Sequence, residues 1–258
     1  MDLRDIPDAA VPRPAPAGPV GVGAFDCAEE SAHYAFSVQL LLTQYASVVP
    51  WQQQGVAELG SGDARAIGHV VRTQPGLRVH GTDISEPSVQ RARETIAELG
   101  VGARYTVELG DFFEWADSAA GRGISTVIAN PPYIPAPDGD LLMPELWGGE
   151  HGNDLALRLL KTGFDHLLIA LPSYSDPAET LATAADLGYR VANFLAMGLE
   201  FGRYSREPKV LRHIQQQVAA GHGWAGDDEY VVAVALLTQS PDVRDRSAQV
   251  RRALQLPD

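Results

Sequence analysis

The stretch Asn130-Pro131-Pro132-Tyr133 holds the residues best suited to chemistry on a polar nitrogen. Two consecutive prolines fix the backbone and carry no N–H donor, so the Pro131 carbonyl is free to face a ligand. The side-chain oxygen of Asn130 is a second acceptor. Two acceptors so placed hold both hydrogens of an –NH2 group. They aim its lone pair at an electrophile and favour the positive charge that grows on the nitrogen. Tyr133 offers a flat ring for a planar substrate, with Pro132 beside it. Asn130, Pro131 and Tyr133 are therefore the candidate catalytic residues and Pro132 a substrate contact. The plain alternative is a rigid loop after a strand.

A second set of residues suits a nucleoside cofactor. Glu58-Leu59-Gly60-Ser61-Gly62-Asp63 stands where an apolar strand meets a helix. Glycines there let the backbone turn tightly, and the helix start offers free N–H groups to an anionic ligand. The third glycine of the dinucleotide fingerprint is replaced by Arg65, and no Walker lysine follows. Asp83, 21 residues past Gly62, ends the next strand and is followed by Ile84. A carboxylate at that position accepts both ribose hydroxyls, or else caps the following helix beside Ser85. After the third strand, Asp111 suits an adenine amino group and Phe112 the ring face; a turn residue and a core aromatic are the plain readings. Glu58, Gly60, Gly62, Asp83, Ile84, Asp111, Phe112 and Asn130 form the candidate cofactor set.

Other residues carry weaker signals. Trp147 and Tyr204 suit the aromatic walls of a substrate site, or packing under loops. Arg203 suits a substrate carboxylate, or a surface ion pair. His151 suits proton removal, or an ordinary loop position. His80 reads as a core residue, Cys27 as inert, and Ser173-Tyr174-Ser175-Asp176 as a loop and helix cap on the ligand side. No metal site is expected.

These residues need a frame, and the apolar spacing supplies one. Tyr34, Val38, Leu41, Leu42 and Tyr45 predict a helix over 31–49, ended by Pro50. Strands are expected at 56–59, 77–82, 104–109, 124–129, 166–171, 190–199 and 230–238. Helices are expected at 64–72, 85–99, 153–162, 176–187 and 207–220, with a Pro/Gly-rich loop over 134–151. Such alternation predicts a doubly wound α/β fold: a seven-stranded, mostly parallel sheet with helices on both faces and the last strand antiparallel. The expected organisation is a Pro-rich segment over 1–30, a ligand-binding domain over 31–240 with a substrate-side insertion at 202–228, and a charged, mobile tail over 241–258.

Bulk composition narrows the partners. The chain has 258 residues, 45% of them hydrophobic, enough for one well-packed α/β unit. A formal net charge of -13 repels phosphate backbones and counts against nucleic acid as partner. The single cysteine rules out a disulfide framework and suits a reducing compartment. No apolar run is long enough for a membrane span and the N-terminus shows no signal-peptide pattern, so a soluble, cytoplasmic protein is expected.

With these residues in view, the chain resembles the class I S-adenosylmethionine (SAM)-dependent methyltransferases over roughly residues 50–240. The tetrapeptide is similar to the motif of members that methylate amino or amide nitrogens. Residues Asn130 to Pro135, followed by Pro144-Glu145-Leu146-Trp147-Gly148-Gly149-Glu150-His151-Gly152-Asn153-Asp154, narrow the resemblance to the HemK-type release-factor glutamine methyltransferases. The resemblance implies a Rossmann-like sheet in the order 3-2-1-4-5-7-6 and SAM as cofactor. It places Gly60 and Gly62 beside the methionine part, Asp83 on the ribose, Asp111 near adenine, and Asn130, Pro131 and Tyr133 at the acceptor. The family's bacterial members carry a helical docking domain before this core, whereas little chain precedes the glycine turn here. The 202–228 stretch is extra. The expected acceptor is accordingly a small metabolite gripped by Pro132, Trp147, Arg203 and Tyr204. The alternatives are a release factor or other peptide and, further off, an NAD-dependent oxidoreductase.

Overall fold

Strands and helices alternate along the chain as the apolar spacing predicts. A computed structural model, which describes residues 27–118 and 121–256, places them as one sheet between two helical layers. In chain order the elements are α1 (Ala28–Gln44), α2 (Trp51–Gln54), β1 (Val56–Leu59), α3 (Arg65–Thr73), β2 (Val79–Asp83), α4 (Glu86–Glu98), β3 (Tyr105–Leu109) and α5 (Phe112–Ala116). There follow β4 (Thr126–Ala129), α6 (Asp154–Leu160), β5 (His166–Pro172), α7 (Pro177–Asp186), β6 (Arg190–Glu200), α8 (Pro208–Ala219), β7 (Glu229–Thr238) and α9 (Ser247–Ala253).

The seven strands lie in the order β3-β2-β1-β4-β5-β7-β6. β1 to β5 pair in parallel, and β7 runs antiparallel to both its neighbours, β5 and β6. Fold class, strand order and the antiparallel last strand all follow the sequence expectation. The central strands β1, β4 and β5 are buried along their whole length, as parallel strands covered on both faces must be.

Strand side chains alternate between two cores. Val56, Ile128, Leu168 and Val234 pack with α1, α3, α4 and α8; Ala57, Val127, Leu167 and Ala235 pack with α6, α7 and α9. This parity puts Glu58 on the α1 side of the sheet, two residues after Val56. Ser85 caps α4 by accepting from the Ser88 N–H, with Pro87 in the first turn where it displaces no helical bond.

The differences from expectation have local causes. The first helix starts earlier and stops at Gln44, where a turn leads to Pro50. The short helix α5 went unread because Asp111-Phe112 passes for a turn; Asp111 is in fact its N-cap. The charged stretch after Ser240 is not a mobile tail where it is described. It carries α9, whose Val250 is buried together with Leu254 against β6 and β7, because two apolar residues four apart outweigh the flanking charges. The Pro-rich segment expected over 1–30 lies outside the described residues as far as residue 26, and Ala28 to Glu30 belong to α1.

Candidate active site

The carboxyl ends of the parallel strands open into a cavity of about 390 Å³, the size and place in which open α/β sheets hold small ligands. The fold brings together there the glycine turn, Asp83 with Ile84, Asp111 with Phe112, and all four residues of the tetrapeptide.

Gly60 and Gly62 follow β1 with φ of 74° and 55°, the left-handed region. Nothing crowds a side chain at either position, so the requirement is conformational rather than steric. Asp83 holds the turn in that shape: one carboxylate oxygen accepts the Gly62 N–H at 2.9 Å, the other the Ser85 N–H at 2.9 Å. Capping and ligand binding are compatible, since each oxygen keeps a free lone pair. Ile84, 74% exposed, presents an unusually bare apolar side chain at the edge of the cavity. Glu58 lies beneath, buried and accepting from the Tyr105 hydroxyl. Burial, partly offset by that bond and reinforced by Asp83, pushes its carboxyl up to about 8.

Asp111 turns one oxygen to α5, accepting from Phe113 N–H at 2.6 Å and Glu114 N–H at 3.4 Å. The other lies 3.8 Å from the Arg158 guanidinium, which sits over the Phe113 ring. Phe112 is mostly a core residue, packed against Phe164 and Trp115, with one edge on the cavity.

The tetrapeptide follows β4. The Asn130 amide donates at 2.9 Å to Glu30 of α1, which fixes the side chain so that its Oδ1 points the other way. That oxygen is buried and has no hydrogen-bond partner among the described residues. The Pro131 carbonyl is likewise without a donor among them. Glu30 also accepts from the Tyr133 hydroxyl and, at 2.9 Å, from the Tyr230 hydroxyl. It is almost fully buried; desolvation raises its pKa, and the bonds from Tyr133, Asn130 and Tyr230 work against that rise. The Tyr133 ring stands edge-on to Tyr174, so it is held at both ends. Glu30 was missed in the sequence, although it falls on the apolar stripe of α1, four residues before Tyr34.

This frame, a seven-stranded sheet with an antiparallel β7 between β5 and β6 and a ligand cavity over β1 and β4, is the deciding observation. The chain has the class I methyltransferase fold. A Pyrococcus horikoshii protein assigned as an RNA methyltransferase shares it, with a TM-score of 0.51 at 15% identity over 86% of this chain and 92% of that one. In sequence the chain is similar to release factor glutamine methyltransferases. The protein of that name from Thermosynechococcus vestitus is 32% identical over 140 residues, 50% of this chain and 47% of the relative. That from Gloeobacter violaceus is 29% identical over 191 residues, 70% of this chain and 58% of the relative. The chain thus spans about half the length of the curated relatives it matches. No family model matches it.

Within the methyltransferase fold, the glycines after the tetrapeptide have a steric role. A Cβ on Gly148 would lie 2.6 Å from the Tyr133 Cα, and one on Gly152 2.5 Å from the Tyr133 carbonyl oxygen. The 148–152 stretch therefore packs backbone to backbone under the tetrapeptide, and Ser175 Oγ donates to the Tyr133 carbonyl at 2.8 Å from the other side.

The three other residues proposed for substrate do not reach the cavity wall. Trp147 donates its indole N–H to the Ala136 carbonyl at 3.0 Å and covers Gly139, stapling the 134–147 loop. Arg203 stacks on the Tyr204 ring at 4.7 Å. Both belong to the start of the 202–228 excursion, and Tyr204 packs against the core. His151 likewise faces away, its Nδ1 2.6 Å from Gln217 Oε1. The cavity wall uses instead Ser31, Tyr34, Met143 and Leu146, which carry no chemical signature in the sequence.

Proposed function

We propose that this chain transfers a methyl group from SAM to a planar amide nitrogen, and that the acceptor is a glutamine side chain of a peptide or protein. The observation that carries the reading is the buried Oδ1 of Asn130 beside the Pro131 carbonyl, both without a hydrogen-bond donor among the described residues, with Asn130 held in place by Glu30. A buried acceptor without a donor costs about 1–3 kcal/mol, a cost that a substrate N–H removes. The similarity to release factor glutamine methyltransferases favours a peptide amide over the small metabolite that the sequence first suggested. An NAD-dependent oxidoreductase fits less well, since the dinucleotide fold's strand order 3-2-1-4-5-6 has no reversed strand inserted between its fifth and sixth, where β7 lies here.

The residues present fit the cofactor. Two left-handed glycines, the Asp83 carboxylate and the bare Ile84 side chain form a cradle with polar and apolar ends. SAM supplies an electrophilic methyl carbon. The protein binds the acceptor amide through Asn130 and Pro131, orients its nitrogen, and surrounds the developing positive charge with acceptors and the nearby Glu30 carboxylate.

Labelled methyl from SAM, incubated with the enzyme and a host-cell extract, is expected to appear in the macromolecular fraction on glutamine. Label confined to small molecules would overturn the peptide acceptor. No label together with no SAM binding by titration would overturn methyl transfer. Asp83→Ala is expected to weaken SAM binding by about tenfold or more, since it removes the proposed ribose acceptor and releases the Gly62 N–H that shapes the turn. Unchanged affinity in that variant would remove Asp83 from the cofactor site.

A further inference from the structure

On the far side of the tetrapeptide, outside the cavity, three ligand-type residues from distant parts of the chain converge. His151 comes from the loop after the tetrapeptide, Asp176 from the N-cap of α7, and His222 from the turn that follows α8. Each offers one ligand atom within 4.8 Å of the others. Sequence reading assigned no metal here, because the three are separated by 25 and 46 residues and match no ligand spacing. We propose that His151, Asp176 and His222 form a binding site for one divalent transition-metal ion of the zinc type.

The surroundings are built for a cation. Asp176 is 5% exposed, and among the described residues its ion-pair partner is an imidazole, His222 Nδ1 at 2.6 Å. Its backbone sits at φ 41° and ψ 56°, a left-handed conformation that costs a non-glycine residue energy. That conformation lets one carboxylate oxygen cap α7, accepting the Glu179 N–H at 3.0 Å, while the other faces the two histidines. The imidazole rings of His151 and His222 lie with centroids 4.6 Å apart and planes tilted by 33°. Gln217 Oε1 accepts from His151 Nδ1, so that nitrogen carries the proton and Nε2 keeps its lone pair, the arrangement in which an outer partner orients a metal-ligating histidine.

His222 is presented rigidly. Its N–H is bonded to the Gln217 carbonyl at 3.0 Å, and the Trp224 N–H to the Ser173 carbonyl at 2.7 Å. Between them, a Cβ on Gly223 would come within 2.3 Å of that same Ser173 oxygen. Two imidazoles and one carboxylate match the ligand preference of Zn²⁺, whereas Ca²⁺ and Mg²⁺ take oxygen alone. The His222 side chain is 41% exposed, which leaves solvent a route to a fourth position. A bound ion would clamp the 202–228 excursion to the loop beneath the tetrapeptide and to α7, one residue from the Ser175 hydroxyl that holds Tyr133.

The test uses the full chain, stripped with a chelator, then equilibrated with Zn²⁺ and desalted. Metal content is measured directly, and Co²⁺ substitution reports ligand geometry through its visible absorption. The expected result is one equivalent of zinc in the wild type, with affinity weakened about tenfold or more in H222A and in D176N. D176N keeps the shape and an oxygen to cap α7, so a loss there reports the ligand rather than the fold. H69A, altering a histidine on α3, is expected to bind as the wild type does. A wild-type chain that takes up no zinc, or H222A and D176N variants that bind it as tightly as the wild type, would overturn the proposal. None of these readouts involves methyl transfer, so they stand apart from the activity proposed above.

Discussion

Asn130→Ala is expected to lower kcat by about 10²–10³-fold while leaving SAM affinity within about twofold of wild type. The asparagine oxygen, buried and without a partner among the described residues, is the acceptor proposed to orient the substrate amide, and its loss would be felt where the nitrogen must point at the methyl carbon. In the proposed site SAM rests mainly on the glycine turn and Asp83, whose mutual hydrogen bond the substitution leaves in place. Single-turnover rates with a glutamine-containing peptide, measured beside SAM titration, separate the two effects. Equal losses in both would make Asn130 a cofactor residue and remove its role at the acceptor. Asn130→Asp is expected to be no better, since it would set a second carboxylate against Glu30 and replace the donor that Glu30 now accepts.

The second large effect is expected at Glu30, a positioning residue. Its two oxygens take three donors, from Asn130, Tyr133 and Tyr230, so a single buried carboxylate fixes both polar side chains of the tetrapeptide. Glu30→Gln is nearly isosteric but brings a donor of its own into a ring of donors. Either Asn130 turns over or a tyrosine hydroxyl reverses. The expected result is a fall in kcat of about 10–100-fold with KM for SAM little changed, because misplacement of the acceptor by a fraction of an ångström is costly. A pH profile gives a readout that a purely structural role would not move. Burial raises the Glu30 pKa above the ordinary carboxylate value. In the wild type, activity should therefore fall on the acid side as Glu30 takes up a proton, at a pH above the usual carboxylate range. In Glu30→Gln that limb should be absent. An unchanged acid limb would show that Glu30 does not position the acceptor through its charge. Glu30→Ala is expected to be worse folded, by about 1–3 kcal/mol for each buried donor left unpaired.

The two cases differ in how far they could be read without coordinates. Asn130 stands in a four-residue stretch after an apolar strand, and its position at a carboxyl end follows from strand direction alone. The glycine turn, Asp83 and the alternation of strands and helices are of the same kind. They rest on backbone preferences and apolar period, which act over a few residues and are written locally. The reversed last strand was expected from the strand–helix pattern and the strand order from resemblance, and both were met in the structure.

Pairing across the fold is another matter. Glu30 lies 100 residues from Asn130 and 200 from Tyr230, and a glutamate in a first helical turn reads equally well as a dipole contact. Trp147 looked like a substrate wall, yet its indole N–H found a loop carbonyl, a choice settled by which groups are buried together. The meeting of His151, Asp176 and His222 depends on how the 202–228 excursion returns across α7. The sequence by itself thus determined the fold class, the glycine turn and the place of the Asn130–Tyr133 stretch, because each is fixed by short-range conformational preference. Only the tertiary structure decided which polar groups lose water in one another's company. That choice sets the orientation of Asn130, the burial of Glu30 and the histidine cluster, because desolvation must be offset by partners the chain brings from far away.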